Sequence, residues 1–333
     1  MKVKLKRFFI LIIICISLFS SLTKVYADEE IYYLGGFPLG FDLSGEGALI
    51  VGLSEVICSD DIYLPARDAG LKSGDYILSL NGKKITCAAD IDEVLKNYSK
   101  GDYVIAEILT NGKKCIKNIY PKMDLSGQYK LGVLIRDYLS GLGTVTLIKS
   151  NGDFCSLGHP ILDEEGNLLG VGGGFAYACT INGVVKGERG KAGELKGSIV
   201  RTNVLGSVKK NSEVGITGRF DNVKQLDGLN RYQIGQAMPG NAEIYTTVNG
   251  SNPKKYSISI IKVDENDKSN KHMVIRVTDE KLISYAGGIV QGMSGSPILQ
   301  NGKIVGAVTH VFLNDSTRGY AICIDKMLQV LNG

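Results

Sequence analysis

Ser294 stands between two glycines in Gly292-Met293-Ser294-Gly295-Ser296-Pro297, ahead of the alternating apolar run Ile304–Val311. A hydroxyl becomes a nucleophile when three things coincide. It is exposed on a tight turn, a base stands beside it, and backbone N–H groups converge on the oxyanion that forms. Residues with little or no Cβ bulk let the backbone curl that closely. The same segment also reads as an ordinary Gly/Ser turn between strands, so the base decides between the two.

The chain has three histidines, His159, His272 and His310. His159 lies in Ser156-Leu157-Gly158-His159-Pro160-Ile161, a turn-like context after an apolar stretch, and it precedes the serine. His272 follows the charged run Asp264–Lys271 and reads as part of a solvated loop. His310, on the strand after the serine turn, reads as a pocket-wall or packing residue. A carboxylate that orients the base would complete a triad. Asp163, Asp221, Asp227, Asp264, Asp267 and Asp279 all lie between His159 and Ser294, and spacing does not choose among them. Asp279 also reads as the N-cap of a short helix over 280–285. Ser296 precedes a proline, which pushes it toward extended geometry, so it is only a reserve nucleophile.

The chain of 333 residues is long enough for two domains. High glycine (42), few prolines (7) and short alternating runs predict a mainly β protein. The formal net charge of +4 is mild and its basic residues are scattered, which argues against a nucleic-acid partner. Residues 1–27 read as an export signal or N-terminal membrane anchor. Lys2, Lys4, Lys6 and Arg7 precede the apolar Phe8–Leu22, and Val25-Tyr26-Ala27 is a small-x-small site. The rest of the chain is then exported, with the basic end cytoplasmic. Cys15 lies inside the apolar run. The other cysteines are Cys58, Cys87, Cys115, Cys155, Cys179 and Cys323. They form no Cys-x-x-Cys pair, so no metal cluster is expected, and disulfides and free thiols stay equally open. Gly170–Gly174 lacks the Lys-Ser/Thr of a phosphate loop.

Residues 31–123 read as strand, turn, strand, helix, strand. Ile91, Val94, Leu95 and Tyr98 recur at helical spacing. Asn81-Gly82 and Asn111-Gly112 are hairpin turns. Ala69-Gly70-Leu71-Lys72-Ser73-Gly74-Asp75-Tyr76-Ile77-Leu78-Ser79-Leu80-Asn81-Gly82 resembles the signature of a PDZ domain. The resemblance implies a peptide groove lined by Leu39, Gly40, Phe41, Leu43, Ile91 and Leu95, with Pro38–Phe41 as the carboxylate-binding loop. Peptide C-termini or internal segments would bind there as an added strand. Residues 128–333 read as short strands and turns, an all-β double barrel. The serine segment resembles the G-x-S-G-[GS]-P element of chymotrypsin-like serine peptidases, which also place histidine before serine.

The whole chain resembles the SpoIVB peptidases of endospore-forming bacteria. The resemblance rests on the export segment, the PDZ pattern, Leu157-Gly158-His159-Pro160-Ile161, and the block Gly287–Phe312. It implies an N-terminal PDZ domain followed by a chymotrypsin-like double β-barrel, with Ser294 as nucleophile, His159 as base and Asp279 as the acid. The N–H groups of Ser294 and Gly292 would form the oxyanion hole. No metal or organic cofactor is implied. The resemblance further implies a serine endopeptidase of sporulation in the forespore intermembrane space. It would process itself and cleave a membrane-bound regulator of an intramembrane metalloprotease, triggering sigma-factor activation. The rival expectations are an exported PDZ adaptor with a catalytically silent barrel and a general envelope-quality peptidase.

Overall fold

The computed structural model describes residues 30–333 apart from Glu46, Lys100, Glu164 and Glu165, so the export segment over 1–27 lies outside the described residues. Strands dominate, as the glycine-punctuated alternation predicts. Pro38–Gly45, Leu139–Ile148, Asp153–Leu157, Gly215–Phe220, Glu194–Ser212 and Val171–Val185 pair in that order. Val171–Val185 pairs back onto Pro38–Gly45 and closes a barrel. Its core holds Leu39, Phe41, Leu43, Val145, Phe154, Ile216 and their neighbours.

A second ring runs through Lys303–Phe312, Pro297–Gln300, Gly240–Thr246, Lys254–Val263, Met273–Val277 and Asp315–Cys323. It closes where Asp315–Cys323 pairs with Lys303–Phe312. Ile244, Ile258, Ile275, Met293, Ile298 and Val308 fill its centre. Closure removes the free edges that open sheets expose. The short strands Tyr32–Leu34 and Arg231–Ile234 stitch the barrels together. The double-barrel expectation therefore holds.

A separate sheet carries the PDZ fold, in the order Val133–Arg136, Ala48–Leu53, Tyr76–Leu80, Val104–Thr110, Lys113–Ile119. The helices Pro65–Asp68 and Ala88–Lys96 pack on its own core of Ile50, Ile77, Leu80, Ile91, Leu95 and Ile108. This unit is inserted into the first barrel and does not precede it. Residues 31–45, placed by sequence pattern in the PDZ domain, supply two strands of the double-barrel sheet instead. Leu43 pairs with Leu139, so the chain leaves the barrel after Gly45 and re-enters it beside its point of departure.

Insertion has a direct consequence for truncation. Replacing residues 46–138 by a short Asn-Gly turn should leave a cooperatively folding double barrel. Deleting residues 31–123 removes the barrel strand Pro38–Gly45 and the stitching strand Tyr32–Leu34 and should leave none. Thermal unfolding followed by circular dichroism distinguishes the two.

Candidate functional site

The strand Leu139–Ile148 is rich in β-branched residues, and its side chains alternate between faces. Val145 enters the first barrel's core, while Thr144 and Thr146 face the serine loop of the second. Thr144 N–H donates to Ser294 O at 3.0 Å. Thr144 Oγ1 donates to Gly292 O at 2.9 Å, and Thr146 Oγ1 to Gly295 O at 2.7 Å. One strand thus fixes three carbonyls of the loop from outside.

Within the loop, Met293 N–H reaches Val290 O, Ser296 N–H reaches Met293 O, and Gly295 N–H reaches Val308 O. Among the described residues no acceptor is recorded for the N–H groups of Gly292 and Ser294. These are the two donors expected of an oxyanion hole. Gly292 and Gly295 have φ of 94° and 92°, a region that favours glycine. A Cβ on Gly295 would lie 2.1 Å from Thr144 O and 2.5 Å from Leu157 N. Ser296 is fully buried, its hydroxyl on Thr246, and presents no nucleophile.

His159 is delivered by a sharp turn at the end of Asp153–Leu157. Gly158 has φ 73°, and Leu157 has φ 75° despite its branched side chain. Burial of that side chain in the first core offsets the local strain. The turn abuts both halves of the serine site, since Leu157 touches Gly295 and a Cβ on Gly158 would meet Thr309 at 3.0 Å. Folding therefore brings His159 and Ser294 into one neighbourhood between the barrels. Their direct bond is not made. Ser294 Oγ donates to Thr309 O at 2.8 Å, and His159 Nδ1 lies 3.0 Å from Pro160 O. A carbonyl only accepts, so this contact puts the proton on Nδ1 and leaves Nε2 free as the base. Desolvation holds the His159 pKa below its ordinary value, opposed by the Pro160 bond.

Asp279 is elsewhere. Its Oδ1 accepts from Leu282 N–H at 3.0 Å and its Oδ2 from Ser257 N–H at 3.4 Å, capping the helix Glu280–Ala286. Val308, Ala321 and Met273 are register partners across three strands. Asp279 lies about six residues past Met273, on the order of 20 Å along the strand. The assignment of Asp279 as the acid beside His159 is corrected on this geometry, and the cap reading accounts for its carboxylate.

Of the other two histidines, His272 departs from expectation. His272 is buried, with Nδ1 accepting from Cys323 N–H at 3.4 Å, and it does not sit in a solvated loop. His310 stands against His159, ring centroids 5.0 Å apart, in the place of a wall of the site. Its sequence signal was position alone, one residue after the carbonyl that holds Ser294.

The PDZ groove needs a second correction. Leu39, Phe41 and Leu43 are buried in barrel strands, and a Cβ on Gly40 would meet Ile199 at 2.7 Å. They cannot face a peptide. Ile91 and Leu95 do lie on the PDZ helix Ala88–Lys96. The strand beside that helix is Val133–Arg136, an edge of the PDZ sheet. Tyr98 meets Tyr129 at 4.5 Å, Lys130 pairs with Asp92 at 3.3 Å, and Asp137 accepts from Ala88 N–H at 2.8 Å. A docked strand would therefore lie along Val133–Arg136, with Leu131-Gly132 at its end.

All six cysteines among the described residues are free thiols. Burial pushes Cys155 up to about 12, which leaves it inert at neutral pH.

The family model described as SpoIVB peptidase S55 matches residues 127–328. Over 77 residues the chain is 36% identical to a probable periplasmic serine endoprotease DegP-like from Bartonella henselae, covering 22% of this chain and 15% of that protein. It thus spans about 15% of that relative's length. The PDZ domain of the SdrC-like protein from Listeria monocytogenes is similar at 22% identity and TM-score 0.23, covering 28% of this chain and 90% of that one. The inactive form of the Rv3671c protease of M. tuberculosis is similar at 13% identity and TM-score 0.33, covering 57% and 83%.

The loop and cap geometries carry two expected outcomes. Gly295→Ala should cost about 2–3 kcal/mol, because a backbone carbonyl and N–H occupy the space for its methyl. Asp279→Ala should cost about 1 kcal/mol by loss of the helix cap. It should change the reactivity of folded Ser294 far less than His159→Ala does. Chemical denaturation of each variant measures the first two quantities, and active-site labelling the third.

Proposed function

As the chain belongs to the SpoIVB peptidase family, we propose that it is a serine endopeptidase with Ser294 as nucleophile and His159 as general base. One observation carries the reading. A glycine-bounded serine and two N–H groups without a recorded acceptor stand beside a histidine whose Nε2 is the unprotonated nitrogen.

The step follows from that geometry. A peptide carbonyl enters beside the N–H groups of Gly292 and Ser294. Ser294 Oγ leaves Thr309 O and gives its proton to His159 Nε2 as it attacks. The two N–H groups stabilise the oxyanion, a contribution on the order of 3 kcal/mol per donor. His159 then protonates the leaving amine, and water hydrolyses the acyl-enzyme by the reverse path.

Family membership supports the finer reading. This is an exported sporulation peptidase that acts from the forespore side, processes itself, and cleaves a membrane-bound regulator of an intramembrane metalloprotease. The PDZ unit would present the substrate strand, along Val133–Arg136. Export and anchoring rest on the pattern of residues 1–27.

A fluorophosphonate probe on the full-length chain tests the enzyme reading. Intact mass should place one adduct on Ser294, absent in Ser294→Ala. Ser294→Ala and His159→Ala should each lower self-processing by about ten-thousand-fold or more. An unlabelled chain with identical fragments in wild type and variants sinks the peptidase and leaves the PDZ adaptor.

The depressed His159 pKa also sets the pH profile. A base must be neutral, and a lowered pKa keeps it neutral to lower pH. The acid limb of the labelling rate should therefore fall below the ordinary histidine value of 6.5, with a plateau above it. In a separate titration, a C-terminal peptide should perturb amide resonances of residues 131–136 and the helix Ala88–Lys96, and leave those of 38–43 unmoved.

A further inference from the structure

In the proposed mechanism His159 becomes an imidazolium while Ser294 attacks. Such a cation needs an acceptor for its second N–H. Among the described residues no carboxylate is recorded at His159, and Asp279 is committed to its helix. What does face the ring is His310, with centroids 5.0 Å apart and planes tilted by 42°. His310 directly follows Thr309, whose carbonyl holds the serine hydroxyl, so one strand segment touches both reacting side chains. At this separation a modest ring rotation brings a nitrogen of one imidazole within hydrogen-bond reach of the other.

We propose that His310 is the positioning residue of the site, taking the place a carboxylate fills in other serine peptidases. When His159 turns from Pro160 O toward Ser294, its Nδ1–H donates a hydrogen bond to an unprotonated nitrogen of His310. The Ser294 proton goes to His159 Nε2 and from there to the leaving amine. His310 stays neutral throughout, so no charge is created or lost on it.

The surroundings keep His310 neutral. Desolvation of the ring against His159 first, then the charges of His159 and Lys271, lower its pKa to about 4, although the residue as a whole is exposed. Its cross-strand partner is Tyr320, over whose ring Lys271 Nζ lies at 5.0 Å. Among the described residues the groups recorded beside the pair are thus Lys271 and Tyr320, and no carboxylate is recorded there. A protonated His310 could not accept, so its low pKa suits the role.

This inference rests on the serine peptidase reading, and one experiment separates their failures. The second-order rate of fluorophosphonate labelling of Ser294 is followed against pH in the full-length chain. Wild type is compared with His310→Phe, His310→Leu and His310→Gln. The two apolar variants differ in shape, so a folding failure in one leaves the other. Loss of the acceptor should slow labelling about 10- to 100-fold. It should also move the acid limb to lower pH, because the imidazolium loses its partner. His310→Gln, which keeps an acceptor oxygen, should recover most of the rate. A rate within two-fold of wild type in the apolar variants overturns the proposal. So does an acid limb that moves to higher pH, the mark of a wall that merely desolvates His159, and so does a glutamine variant as slow as phenylalanine. Failure of wild type itself to label would instead remove the peptidase reading.

Discussion

The whole site depends on a backbone-to-backbone contact between the two barrels. Leu157 of the histidine turn and Gly295 of the serine turn approach so closely that a methyl group on Gly295 would overlap Leu157 N. Nothing but glycine fits there, and the contact lets a histidine from one barrel address a serine from the other. The strand Leu139–Ile148 secures it from the far side, with Thr144 and Thr146 on the carbonyls of Gly292, Ser294 and Gly295. Three hydrogen bonds of roughly 1 kcal/mol net each bound what this clamp contributes. They also hold the loop in a form in which the N–H groups of Gly292 and Ser294 have no recorded acceptor among the described residues.

The same strand explains how the PDZ unit is joined to the peptidase. Val133–Arg136 is the edge of the PDZ sheet, Asp137 binds the start of the PDZ helix, and Leu139 begins the barrel strand. The polypeptide passes from the edge of the PDZ sheet to the threonines that hold the serine loop without an intervening linker. A domain attached through a flexible tail would have no such continuity. Here the insertion point and the active-site scaffold share one run of backbone.

Local signals in the sequence were largely sufficient for local structure. Asn81-Gly82 and Asn111-Gly112 do form turns, with φ of 47° and 77° and of 49° and 70°, because only such residues accept two positive φ values in succession. Asp279 followed by a short apolar periodicity does cap a helix. Ser294 and His159 were legible from their turn contexts. What sequence could not supply was long-range pairing. Leu39, Phe41 and Leu43 alternate as any half-buried strand does, and period two says that a face is buried without saying against which core. Their partners, Leu139–Gly143, lie at the far end of the inserted domain. His272 misled for a related reason. The charged run before it is solvated, but its own side chain folds back against Cys323. His310 beside His159 depends on how two barrels meet, which no local window encodes.

The resting geometry has its own energetic logic. Each reacting group is satisfied by a carbonyl from its own neighbourhood, Ser294 by Thr309 O and His159 by Pro160 O. Both contacts are neutral hydrogen bonds, so exchanging them for a Ser294–His159 bond costs about 1–2 kcal/mol at most. That is small beside the free energy available from docking an extended substrate strand. It is still enough to keep the hydroxyl unactivated in most molecules when no substrate is bound. The Ser294 and His159 side chains come from two turns in contact, yet need a ligand's binding energy to leave their carbonyls and meet.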